Sequence, residues 1–120
     1  MKWLILVFCV VGVATVGVSA GGWSETYTLA GGEVGVTNTQ ANSSWVPVAV
    51  LMAFTAPGTG AVEVWRVSGE YSFRLANCVF TNMTTVVWVP DAAYPFGVGE
   101  ALVIRSSITN GVVQVIRKGE

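Results

Sequence analysis

The chain has 120 residues, six basic, seven acidic and none histidine, and only 11% of them carry charge. That is about half the ~25% of an ordinary soluble domain. The missing histidine removes the usual general base, the commonest metal ligand and the familiar nucleophilic triads. Too few lysines and arginines cluster for phosphate binding, so nucleic acid is not an expected partner.

The first segment is apolar. Lys2 precedes an uncharged run from Trp3 to Val18, which closes on Val18, Ser19 and Ala20 before Gly21. One positive charge, a greasy stretch and a small-x-small exit describe a signal peptide over residues 1–20, cleaved between Ala20 and Gly21. The main alternative is a retained membrane anchor, and a third is a buried N-terminal core segment. A spanning helix needs about 20 apolar residues, and the uncharged stretch extends to Ser24, with Gly17 and Gly21 in a GxxxG pair. On the first two readings the expected placement is secreted or extracytoplasmic, at the periplasm, the cell surface or a virion surface. Any membrane contact would run through residues 3–24. Cys9 would leave with the leader, so Cys78 is expected as a lone, buried cysteine with no intramolecular disulfide.

Residues 21–120 read as a single β domain. They are rich in valine and threonine, and no window carries an amphipathic helix. Glu25 to Leu29 and Glu33 to Thr37 flank Ala30-Gly31-Gly32, an expected hairpin. Trp45 to Phe54 is a long apolar strand in which Pro47 should sit at an edge or near the start. Ala56 to Gly60 has turn composition. Ala61 to Val67 and Glu70 to Ala76 form a second expected hairpin, bent at Ser68-Gly69, with Tyr71, Phe73 and Leu75 on one face. Thr84 to Val89 is a strand ended by Pro90-Asp91, and Ala92 to Gly99 is a long connection. Asn110-Gly111 supplies the positive φ values of a two-residue hairpin turn. That turn pairs Ile108 with Val113 and Ser106 with Val115. Leu102, Ile104, Ile108, Val113 and Val115 then share the inner face. The expected fold is all-β, an antiparallel β-sandwich of jelly-roll or immunoglobulin-like topology with about eight short strands.

Catalytic, cofactor-binding and metal sites are not expected. Asp91 is the sole aspartate and the acids are dispersed, so calcium has no ligand cluster. Glu63 and Glu70 straddle a hairpin, but Arg66 and Arg74 nearby make exposed cross-strand ion pairs the simpler role. The aromatics remain. Trp88, hemmed by valines, is expected in the core, and Tyr94, Phe96 and Trp65 form the candidate contact patch. Asn42 and Asn82 head glycosylation sequons.

The functional expectation is an exported, non-enzymatic structural or adhesive subunit acting through protein contacts or self-assembly. Its partner would be a second copy or another surface protein. Two further readings are an extracellular module that binds glycan through exposed aromatics, and a virion surface or tail-associated protein.

Overall fold

A computed structural model describes residues 9–11 and 22–119. The cleavage position at Ala20 and Gly21, and most of the apolar run, lie outside the described residues. Among the described residues no helix is long and apolar enough to cross a membrane.

Among the described residues seven strands form one antiparallel sheet: β1 (Cys9–Val11), β2 (Gly22–Thr28), β3 (Glu33–Thr37), β4 (Trp45–Ser68), β5 (Tyr71–Trp88), β6 (Ala101–Ser106) and β7 (Gly111–Gly119). The all-β antiparallel expectation holds. The described residues form seven strands in one curled sheet, in which β4 and β5 are far longer than the turn signals implied, and the sandwich topology with about eight short strands is not confirmed.

β4 is the spine. One of its edges pairs with β5 along the hairpin that turns at Ser68–Tyr71, where Gly69 has φ +59°. Its other edge is shared. β7 pairs with Trp45 to Phe54, and β6 pairs with Val62 to Val67. Both run antiparallel to β4, so β6 and β7 lie end to end and do not form a hairpin. β2 follows β7 and β3 follows β6 in the same manner. Each therefore makes one arm of a bent edge ribbon. The sheet is in effect a set of long ribbons bent across their middle, with β1 added to β5 at Val86 to Trp88.

The bend explains the failed turns. Ala56 to Gly60 does not reverse the chain. The strand runs on through it with register shifts after Ala53 and Gly58, the device by which a strand passes from one layer to another. Gly58 and Gly60 leave room there for Ser107 and Ile108: a Cβ on Gly60 would stand 2.1 Å from Ser107 Oγ. Asn110-Gly111 is a jog along β4. The Thr55 amide donates to Asn110 O at 3.0 Å, and the Leu29 amide to Gly111 O at 2.9 Å. Ala30–Gly32 is a short 3₁₀ turn joining the two arms, with positive φ at Gly31 and Gly32.

Folding the ribbons brings the inward side chains of both halves into one core. Val50, Met52, Val86, Trp88, Val113 and Val115 meet Val34, Val36, Val62, Val64, Leu102 and Ile104. Each such side chain contributes about 1.5–3 kcal/mol by leaving water. The expected inner face is thus observed for Leu102, Ile104, Val113 and Val115, with Ile108 packed against it. Pro47 lies near the start of β4, opposite Arg117, with a register shift between Pro47 and Ala49.

Candidate functional site

Where the two arms of the edge ribbon diverge, a cleft of about 350 Å³ opens. β2 contributes Trp23, Glu25 and Tyr27, and β3 with the loop after it contributes Gly35 to Gln40. Trp45 and Arg117 complete the lining.

Strand geometry sets these positions. In β7 the inward residues recur at every second position, Val113 and Val115, and the next is Arg117. Opposite them on β2 stand Tyr27, Glu25 and Trp23. A cation is therefore carried to the end of an apolar row. Its side chain is only 9% exposed. The guanidinium lies over the rings of Trp45, at 4.7 Å, and Trp23, at 5.0 Å, contacts that gain strength when desolvated. Glu25 pairs with one of its amino groups, while its buried Nε has no hydrogen-bond partner among the described residues. Burial pulls this guanidinium below its ordinary pKa.

The contacts continue inward. Trp45 stacks on Phe96 at 4.8 Å, and Arg66 lies 5.5 Å from the Phe96 ring centroid. Arg66 is held in turn by Glu100 at 2.8 Å. Glu100 also accepts the Gly97 amide at 2.7 Å, and that bond is the main cause of its lowered pKa. Asn38 ties the loops together. Its amide nitrogen donates to the Ser43 and Phe96 carbonyls at 2.8 Å, and its side-chain oxygen accepts the Gln40 amide at 3.0 Å. These bonds use it as a strut.

The expected contact patch does not assemble. Phe96 is fully buried beneath Trp45 and cannot serve as an exposed contact. Tyr94 is half-buried, donating to Asp91 at 2.6 Å, and that bond, with burial, raises its pKa. Trp65 is half-buried too. Its indole N–H donates to Glu63 at 3.1 Å, and Arg105 sits 5.3 Å from its ring. It follows the opposite face of β4 from Arg66, the residue that meets Phe96. Trp88 is in the core. Glu63 pairs with Arg74 across the hairpin at 3.3 Å, whereas Arg66 turns inward to Glu100.

Asn42 and Asn82 are exposed, both at positive φ (60° and 54°), which asparagine tolerates better than most residues. Cys78 is buried as expected but is disulfide-bonded, which corrects the expectation of a lone thiol. Among the described residues no three His, Cys, Asp or Glu side chains gather to hold a metal. The sequence reading missed Trp23, Glu25, Trp45 and Arg117 as a group. The available signal was the period of two, which, continued past Val115, turns Arg117 inward.

No protein-family model and no curated protein matches the chain. Two solved structures from Drosophila are similar. One is the NLP core, described for pentamer formation and histone binding. It is 14% identical over 82% of this chain and 97% of its own, with a TM-score of 0.50. The other is the nucleoplasmin-like N-terminal domain of FKBP39, 13% identical over 88% of this chain and 95% of its own, with a TM-score of 0.46. At this identity the first likeness speaks for the fold, an antiparallel curled sheet.

That likeness corrects the functional expectations drawn from the apolar leader and the low charge. The matched fold is that of a pentamer-forming, histone-binding core. The neighbour is described in those terms and not as an exported adhesive subunit, a glycan-binding module or a virion surface or tail protein, so those readings are withdrawn. The surface-protein and glycan partners and the secreted or extracytoplasmic placement fall with them. Low charge and exposed aromatics are shared by too many kinds of surface to have decided among these.

Proposed function

We propose that this chain is a non-enzymatic domain that assembles with copies of itself and works by holding a protein partner. The observation that carries this reading is the curled sheet, which matches nearly the whole of a pentamer-forming, histone-binding core.

The surface supports it. Tyr71 and Phe73, at the turn of the β4–β5 hairpin, are 68% and 55% exposed, with stacked rings 6.5 Å apart. Aromatics displayed in this way are the side chains that anchor protein contacts. Glu25, Glu33, Glu63 and Glu100 are each paired with an arginine, which leaves little like-charge repulsion between copies. The same pairing leaves no acidic tract among the described residues, so capture of a basic tail is not part of the reading. The missing histidine supports a role without bond-making.

Light scattering on the purified chain tests the assembly. A particle of several subunits, stable on dilution, is the expected result. A monomer at high concentration overturns the proposal.

A further inference from the structure

We propose that the cleft between β2 and β3 receives an extended segment of a partner polypeptide bearing a carboxylate side chain, with Arg117 as its counter-ion. This rests on the protein-binding reading and names the chemistry of the partner.

The unmet demand in the cleft belongs to the cation. Arg117 is nearly buried, and among the described residues its Nε lacks an acceptor and Glu25 is its one ion pair. Glu25 itself is 46% exposed and can be satisfied by water. A guanidinium is a planar fork that accepts carboxylate oxygens in its own plane. With the Trp23 and Trp45 indoles against the guanidinium, the approach left to a ligand is at the fork's edge, which suits a carboxylate and not another ring.

The surroundings suit a peptide. Among the described residues β2 pairs only with β7 and β3 only with β6. Each arm therefore keeps an unpaired ladder edge, the feature to which extended chains add. Thr37 and Gln40 supply neutral hydrogen-bonding groups, and Glu25 is the only acid lining the cleft. A lysine-bearing segment would have to approach a desolvated cation with one half-exposed carboxylate in its favour. An acidic segment meets the opposite balance. Glu25 then acts as the resident carboxylate that an incoming one displaces or joins.

The test is fluorescence anisotropy of the full chain with a short labelled peptide alternating threonine and glutamate. The lysine counterpart and free glutarate serve as comparisons. The glutamate peptide should bind, and Glu25→Gln should tighten it about tenfold, the scale of one charge-assisted hydrogen bond. Arg117→Leu should abolish binding, but Glu25→Gln is the deciding variant because it lies on an exposed edge strand and leaves the buried guanidinium in place. Preference for the lysine peptide, or Glu25→Gln leaving the glutamate peptide unchanged or weaker, overturns the proposal. Glutarate binding as tightly as the peptide overturns the extended-segment part. Light scattering on the same samples separates the two claims. An oligomer that ignores the peptide refutes this inference alone, and a monomer that binds it refutes the assembly alone.

Discussion

Trp45 and Phe96 are joined twice over: their rings stack at 4.8 Å, and their backbones exchange hydrogen bonds of 3.2 and 2.8 Å. This isolated bridge pins the long connection after β5 to the first residue of β4. It also backs the indole on which Arg117 rests, so the wall of the cleft and the core share one contact. Phe96→Ala should therefore cost about 3–5 kcal/mol, the range for deleting a buried phenyl ring. Urea unfolding measures this directly. A loss below about 1 kcal/mol would mean that the connection is held by other contacts.

Glu100 gives the acid limb of stability a definite sign. Its folded pKa lies below the ordinary 4.5, first because the Gly97 amide donates to it, with Ser68 and Arg66 adding to the effect against burial. The stabilisation is complete above the ordinary value and is lost as pH falls through the depressed one. Glu100→Gln should be less stable at neutral pH by about 1–2 kcal/mol. The two proteins should converge in strong acid. Denaturation across that pH range decides it, and a gap that persists in acid would refute the assignment.

Three glycines separate crowding from backbone strain. A Cβ on Gly111 would stand 2.2 Å from the Ala53 carbonyl oxygen, and one on Gly32 2.8 Å from the Ser106 carbonyl oxygen. A Cβ on Gly31, at φ +82°, would meet nothing within 4 Å. Gly31→Ala should cost about 1 kcal/mol from its left-handed backbone alone. Gly111→Ala should cost more, about 1–3 kcal/mol, because backbone must move. Thermal melts should order the variants accordingly, and equal effects at Gly31 and Gly111 would contradict the packing of the jog.

Tyr71 and Phe73 lie outside the core, so a Tyr71→Ser, Phe73→Ser double variant should change subunit stability by no more than about 0.5 kcal/mol per site. If these rings bridge copies, the same variant should dissociate at concentrations where the parent chain remains assembled. Sedimentation velocity reads both species. An unchanged association would place the interface elsewhere.

The sequence disclosed faces better than partners. Alternation at Leu102, Ile104, Val113 and Val115 assigned the inner side of β6 and β7 correctly, since period two is a local property of the strand. It could not say whether the chain reverses or continues after Asn110. A two-residue turn and a jog along β4 keep the same side chains inward, and the choice was made by the edge of a strand dozens of residues away. Ala56 to Gly60 misled for a related reason. Proline and glycine mark departures from a straight strand, and a bend between layers is such a departure without a reversal. Tyr94-Pro95-Phe96 looked like an exposed loop because loops usually are, yet Phe96 fills the core beside Trp45. Arg117 was hidden because charged residues are rarely buried, and the two indoles that make its burial tolerable come from strands distant in sequence.

The most direct measurement is the mass of the purified chain in solution, by light scattering over a wide range of protein concentration. A discrete multiple of the subunit mass that holds on dilution is expected of a domain that assembles to hold a partner. A single-subunit mass throughout would contradict it.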